Sequence, residues 1–363
     1  MSQEELFVKP LTLWMDGSGT DSDIVLSSRV RLARNIAGIP FPNRANLAQL
    51  AKVETSVQDV IEELEESTGK SYKSISIDKL STLERNVLIE KHMISNNHII
   101  NPENRLVLVS ADDRISIMVN EEDHLRIQCM VSGLDLGKTL EMANKIDDTV
   151  ESKLDIAFTE DMGYLTSCPT NLGTGLRASV MVHLPGLVFT RQINKIMNAS
   201  TQLGLAVRGL YGEGSEVIGN IFQISNQLTL GFSEQEIVDN LTSAVLEIMT
   251  HEKAARKALY AQAPDVVSDK VWRSYGVLKY ARTISGNEAL ALLSEVRMGI
   301  DLNIIHNVPP SIFNELLVSS RSNYLQNLKN NGNLSPGEID KQRAEMIRKV
   351  LTADTINKGV DSL

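Results

Sequence analysis

The chain has 363 residues, enough for a large core and for two domains or one large domain with an appendage. Hydrophobic residues at 42% and charged residues at 23% are ordinary for a folded globular protein, which sets disorder aside. A formal net charge of −10 argues against a general nucleic-acid binder, and no apolar run approaches the ~20 residues that a membrane-spanning helix needs. The opening "MSQEELF" lacks the apolar stretch of a signal peptide. Cys129 and Cys168, the only cysteines, fit a reducing cytoplasm, and neither has a zinc-like spacing.

In chain order, residues 1–26 read as a short lead-in. The spacing of Leu47, Leu50, Val53, Val57, Val60, Ile61 and Leu64 predicts one amphipathic helix over 46–68, and a second helical stretch covers about 79–95. Strand patterns follow at "RLVLVS", "RISIMVN" and "LRIQCMV", then a helix from about 138 to 154. Further strands fit "ASVMVHLP", "GLAVRG" and "NIFQISNQLTLG". Most connections are too short for crossover helices, so the fold class is α+β with a largely antiparallel sheet. Ser233 with Glu236, and Ser285 with Glu288, have the spacing of capping boxes, and Ser335 precedes Pro336 as an N-cap. From Pro264 onward only helices are expected, which divides the chain into 1–258 and an all-α segment 259–363.

The stretch "VNEEDHLRIQ", 119–128, gathers Glu121, Glu122 and Asp123 between two patterns that alternate with the period of half-buried strands. Acids crowded at such a tip repel one another unless cations or a substrate sit among them. A solvated polar turn is the plain alternative.

"SGLDLGKT", 132–139, imitates a phosphate loop between a strand and a helix. Only three residues separate Gly133 from Gly137, and Ser132 stands where the first glycine belongs, so it is set aside.

Arginines recur on strand patterns beside glycine-rich turns. Arg29 and Arg31 share one face of "SSRVRLARN", while Arg126, Arg177 and Arg208 come from three other segments. Guanidinium forks match phosphate bidentately, and glycines at 173, 175, 209, 212 and 214 would let backbone N–H groups approach the same anion. A nucleotide or phosphate-ester site follows, with carboxylates beside it facing the phosphoryl acceptor. A cationic acceptor that must lose a proton, such as a guanidinium, suits a carboxylate pair.

"SSRVRLARN", "NEEDHLR", "CPTNLGTGLRASV" and "RGLYGEGSEVIGNIFQISN" resemble, in order, the signature segments of the phosphagen kinases over roughly residues 20–250. The helical segment sits after them and not before, which resembles the bacterial protein arginine kinases. The resemblance implies a phosphagen-kinase-like catalytic domain and ATP binding by Ser27, Ser28, Arg29, Val30, Arg31, His92 and Arg126. It extends that role to Arg177, Ala178, Ser179, Val180 and Met181, and to Arg208, Gly209, Leu210, Tyr211, Gly212 and Glu213. It assigns the guanidinium to Glu121, Glu122 and Glu213, and a reactive thiol to Cys168. Mg2+ is expected on the phosphates and water, with no dedicated protein cage. The implied function is phosphorylation of arginine side chains in proteins, marking them for Clp-type degradation in stress responses. Implied partners are proteins with exposed arginine, an activator protein, the Clp machinery and a second copy in a homodimer.

The family's phosphoarginine-binding motif, Arg-Asp-x-x-Arg-Ala, falls on "IDKQRA", 339–344. Asp340 and Arg343 match, but Ile339 replaces the first arginine. Weak allosteric binding of phosphoarginine is therefore expected. A kinase of small guanidines and a regulatory adaptor acting through its helices are the alternative functions.

Overall fold

The structure, a computed structural model, describes residues 3–209, 218–306, 308–329 and 334–357. Helix α1 (Gln3–Val8) and a 3-10 turn at Leu13–Met15 lead into β1 (Val25–Arg34). Next come α2 (Leu47–Gln58), α3 (Ile61–Thr68), β2 (Tyr72–Ser76) and α4 (Thr82–Glu90). A meander of β3 (Leu106–Ser110), β4 (Ile115–Val119) and β5 (Leu125–Ser132) precedes α5 (Leu136–Glu151). A small ribbon of β6 (Phe158–Thr159) and β7 (Gly163–Tyr164) is followed by β8 (Leu176–His183) and α6 (Pro185–Phe189). Then come α7 (Ile193–Gln202), β9 (Leu205–Arg208) and β10 (Ile221–Asn226). The long α8 (Glu234–Gln262) opens a helical run of α9 (Pro264–Tyr280), α10 (Gly286–Asp301), α11 (Ser311–Ser319), α12 (Ser322–Leu328) and α13 (Pro336–Asn357).

Eight strands form one sheet in the order β2-β3-β4-β5-β1-β8-β10-β9, every pairing antiparallel. The expected α+β class with a helical C-terminal part is what the chain adopts. Side chains alternate between the two faces of the sheet. Val30, Leu32, Ile127, Ala178, Val180 and Ile224 enter a core closed by α2, α3, α5 and α8. On the opposite face Met118, Met130, Met181 and Ile221 meet Leu6, Trp14, Leu88, Leu290 and Phe313.

That second core corrects the expectation of half-buried strands, because β3 and β4 are buried at every position. Its covering layer comes from both ends of the chain, which no local pattern reveals. The lead-in is a packed element: Leu6 and Trp14 are wholly buried, Lys91 donates to the Leu6 carbonyl, and the Tyr324 hydroxyl donates to Val8.

Two helix expectations also change. The single helix over 46–68 is broken after Gln58, where Val60 N–H reaches back only to Val57. The break leaves Val57, Val60 and Leu64 all buried. The stretch 79–95 is helical only to Glu90; His92 then takes a left-handed conformation with φ 56°, so it is not a helix-surface residue. The Ser233–Glu236 capping box forms as expected, while the Ser285 hydroxyl accepts from Glu288 N–H. The Ser335 N–H and hydroxyl both donate to Glu338 at the start of α13.

Candidate active site

The register of the sheet gathers the arginines. Arg29 pairs with Ser179 and Met130, and Arg31 pairs with Arg177 and Gln128. Ala33 pairs with Arg126, and Arg208 pairs with Gln223. Strict alternation therefore puts Arg29, Arg31, Arg126, Arg177 and Arg208 on one face, spread over four strands. Arg34, one residue out of phase, points to the other face, where Asp147 takes its Nε and Nη2 at 3.0 and 2.6 Å.

Neutral groups help orient Arg29 and Arg177. Arg29 donates to Ser179 Oγ at 3.1 Å and to Gln223 Oε1 at 2.8 Å, and Arg177 donates to the Asn226 carbonyl at 3.0 Å. Gln223 was not among the expected site residues. Its alternation with Phe222 and Ile224 in "IFQIS" is the signal that could have found it. Burial, then the charges of Arg126 and Arg177, bring the Arg29 pKa down to about 10. Burial, then the charges of Arg29, Arg126 and Arg177, push the Arg31 pKa well below its ordinary value, and its buried Nε has no hydrogen-bond partner. Like charges held together, with a buried donor left over, fit a polyanion that is taken up between them.

His92 stands beside this cluster. Its carbonyl accepts from Gln128 Nε2 at 2.9 Å, and its ring meets Trp14 edge-on with centroids 5.7 Å apart. Burial, with the charges of Arg29 and Arg321, lowers its pKa to about 3, so the ring is neutral at physiological pH.

The acidic loop 120–124 separates into distinct parts. Glu121 is buried; its Oε1 accepts from Ser95 Oγ at 2.5 Å and its Oε2 from Arg126 at 2.7 Å and Glu122 N–H at 3.0 Å. Burial alone would raise this carboxyl, but Arg126, Ser95 and the Glu122 N–H hold it at about 2. Asp123 Oδ1 accepts from Asn35 Nδ2 and Ser167 N–H, both at 2.7 Å, tying the loop to β1 and to the Cys168 segment. His124 is fixed as the Nε2–H tautomer: Nδ1 accepts from Ile36 N–H at 3.0 Å and Nε2 reaches the Pro40 carbonyl at 3.0 Å. Glu122 alone is left, half-buried and with no hydrogen bond to its carboxylate among the described residues. Burial raises its pKa, and the neighbouring Glu121 and Asp123 add to that against the pull of Arg126 and Arg177. Three acids in sequence thus become a clamp for an arginine, a brace for a loop and one available base.

Cys168 lies in the loop after β7, its Sγ 3.0 Å from Thr170 Oγ1, which also accepts from Arg177 at 3.4 Å. The thiol is thus one hydroxyl removed from the arginine cluster.

Not every expected nucleotide contact presents its side chain on the arginine face. Val30, Ala178 and Val180 are wholly buried in the core on the other face, as alternation demands. Ser28 is buried there too; its hydroxyl donates to the Gly133 carbonyl at 2.9 Å and accepts from Asp135 N–H at 3.0 Å. These bonds hold the 132–135 turn shut, with Leu134 N–H on the Thr20 carbonyl, so the imitation phosphate loop has no free cradle of N–H groups. Ser27, Ser179 and Met181 do lie on the arginine face, with Ser27 paired to Met181. Gly209 closes β9, while Leu210, Tyr211, Gly212 and Glu213 lie outside the described residues.

Near the C-terminus, Arg343 is buried and donates to the Ser320 carbonyl at 2.7 Å, the Ile284 carbonyl at 2.9 Å and Ser322 Oγ at 2.9 Å. It is also paired with Asp340. Ile339 is buried on the same helix. Arg343, Ser322, Arg321, Gly286, Asn96 and Glu90 line a cavity of about 440 Å³ between α4 and the C-terminal helices. The Arg343 guanidinium already bridges several segments, which leaves it poorly placed to stand in for the missing arginine.

Residues 52–255 match the family described as ATP:guanido phosphotransferase, C-terminal catalytic domain, and residues 264–359 match the protein-arginine kinase McsB C-terminal domain. The helices between these matches part at Ala263. A protein-arginine kinase of Desulforamulus reducens is 48% identical over 355 residues, 97% of this chain and 99% of its own. The protein-arginine kinase of Bacillus subtilis is 48% identical over 97% of this chain and 96% of its own. Among solved structures, a lombricine kinase is similar with TM-score 0.58 and 27% identity, over 67% of this chain and 70% of its own. The duplicated taurocyamine kinase of Schistosoma mansoni, with bound transition state analog components, gives TM-score 0.60 and 25% identity over 68% of this chain and 36% of its own. The chain belongs to the ATP:guanido phosphotransferases, in the branch of the protein-arginine kinases.

Proposed function

We propose that this protein transfers the γ-phosphoryl group of ATP to a guanidinium nitrogen of arginine side chains in proteins. The observation that carries the reading is the unpaired carboxylate of Glu122 beside a face of clustered arginines, Arg31 Nε among them without a partner. Arg29, Arg31, Arg126, Arg177 and Arg208 hold the phosphates and take up the charge that develops on the departing ADP as the phosphorus–oxygen bond breaks. Glu122 orients the guanidinium and accepts the proton that its nitrogen sheds on bonding to phosphorus. A guanidinium pKa above ~12 makes that proton hard to remove, and a base raised by its surroundings is the better acceptor. Glu121 acts through Arg126 and not on the substrate.

No group of three or more His, Cys, Asp or Glu among the described residues could hold a metal ion. Mg2+ would supply charge neutralisation to the phosphates and, in this reading, would be carried by them and by water. Marking of proteins for Clp-type degradation in stress responses, control by an activator protein, pairing into a homodimer and a cytoplasmic location belong to the same proposal. The similarity to protein-arginine kinases over nearly the whole chain supports the arginine-phosphorylation part of this reading.

Acid and alkali treatment of the labelled product tests the chemistry. A phosphorus–nitrogen bond loses its label in acid and keeps it in alkali. Acid-stable label would return the protein to the hydroxyl kinases.

A further inference from the structure

Five large apolar side chains stand in water around the loops that bear Cys168 and Glu122. Phe158 is 55% exposed, Met162 51%, Leu228 62%, Leu230 55% and Phe232 42%. Single exposed apolar residues need no explanation, but a gathered set marks a contact surface.

The backbone brings them together. Phe158 pairs with Tyr164 in the β6–β7 ribbon, and Tyr164 N–H donates to the Gly173 carbonyl at 2.8 Å. A Cβ on Gly173 would lie 2.9 Å from the Leu230 Cα, so the 228–232 segment packs directly on the loop at Gly173. Thr229 Oγ1 locks the seam by donating to the carbonyls of Thr170 at 3.0 Å and Leu172 at 2.6 Å. The same ribbon is wired to the site. Ser167 N–H holds Asp123, next to Glu122, and Asn226, two residues before Leu228, accepts from Arg177.

The two segments that form this rim are acidic, and Arg34, stacked on Tyr164 and 3.8 Å from Glu234, is wholly buried beneath them. Residues 155–176 and 226–239 contain no Lys or Arg, but they contain Asp155, Glu160, Asp161, Glu234, Glu236 and Asp239. Glu160 and Asp161 are exposed between Phe158 and Met162. An apolar rim whose own segments supply acidic side chains and no Lys or Arg repels nucleic acid. It matches a partner that is cationic and apolar at once.

We infer that this rim docks the polypeptide substrate: an extended segment in which apolar side chains flank the target arginine. The inference rests on the proposed arginine kinase activity and adds a preference for the residues beside the arginine. A folded protein surface seldom offers arginine between apolar side chains, whereas an extended segment does, so the rim selects chain conformation as well as sequence.

The test uses the full-length protein and two peptides with one central arginine, flanked by leucine and phenylalanine in one and by serine and asparagine in the other. Steady-state kinetics are run on the unaltered protein and on Leu228→Ser and Leu230→Ser variants, whose melting temperatures serve as a fold control. The expected result is a KM roughly 10-fold lower for the apolar-flanked peptide, with similar kcat. In both variants that advantage shrinks, while the polar-flanked peptide is turned over as before. Equal KM values for both peptides in the unaltered protein would overturn the inference and leave the kinase reading intact. Phosphorylation of neither peptide, nor of any protein arginine, would remove the kinase reading and the inference with it. A third outcome also overturns it: self-association abolished by the variants, with peptide preference unchanged, would assign the rim to a second copy of the chain.

Discussion

Glu121 and Glu122 are adjacent in sequence, and the N–H of Glu122 donates to the carboxylate of Glu121 at 3.0 Å, yet their side chains have opposite electrostatic fates. Arg126 and Ser95 hold Glu121 at about 2, while burial lifts Glu122 above its ordinary value. One is a permanent anion that braces an arginine. The other is the carboxylate proposed as the base.

Glu122→Ala should therefore remove phosphotransfer by at least ~10²-fold while ATP binding and the melting temperature change little. The base must be deprotonated to act, so activity is lost as pH falls through its raised pKa. The acid limb of kcat/KM should lie above 4.5, the ordinary glutamate value. A pH–rate profile on the unaltered protein checks the second point. Isothermal titration with ATP separates binding from chemistry in the variant.

Glu121→Gln should behave differently. A carboxyl whose folded pKa is about 2 against an ordinary 4.5 contributes stability that is full above 4.5 and lost as pH falls through about 2. Breaking this buried pair should cost about 3 kcal/mol at pH 7. Denaturant titrations from pH 7 downward should show the gap between unaltered protein and variant closing below 4.5. Activity should fall too, through a misplaced Arg126.

Much of this site is legible in the amino-acid sequence, and for a simple reason. Period-two alternation puts Arg29 and Arg31 together, and the antiparallel register brings Arg177 opposite Arg31. Other features depend on contacts between distant segments. Ser95 grips Glu121 from 26 positions away, and Asn35 reads Asp123 and His124 from just beyond β1. Nothing local separates the three acids into their roles. The same alternation turns the side chains of Val30, Ala178 and Val180 into the core, away from the arginine face.

Thiol-directed alkylation should inactivate the enzyme through Cys168, and ATP with a substrate peptide should protect it. Cys129 is wholly buried beneath the sheet and should stay unlabelled in the native protein. Peptide mapping of the modified residue against remaining activity gives the answer.

At the C-terminus, Arg343 is held by two carbonyls, Ser322 and Asp340, so Arg343→Ala should destabilise the helical part by about 3 kcal/mol. Phosphoarginine should bind weakly here and stimulate the kinase little, since Ile339 offers no donor to a phosphoryl group. Calorimetric titration into the Glu122→Ala protein measures that affinity without turnover. Tight binding abolished by Asp340→Asn, with the melting temperature preserved, would show that the missing arginine is dispensable.

The most direct measurement incubates the protein with ATP and an arginine-containing protein, and separately with free arginine, then maps phosphate by mass spectrometry under neutral conditions. The expected result is phosphate on arginine side chains of the protein substrate, absent with Glu122→Ala, with little free phosphoarginine formed. Phosphate confined to serine or threonine, or found only on free arginine, would contradict the account.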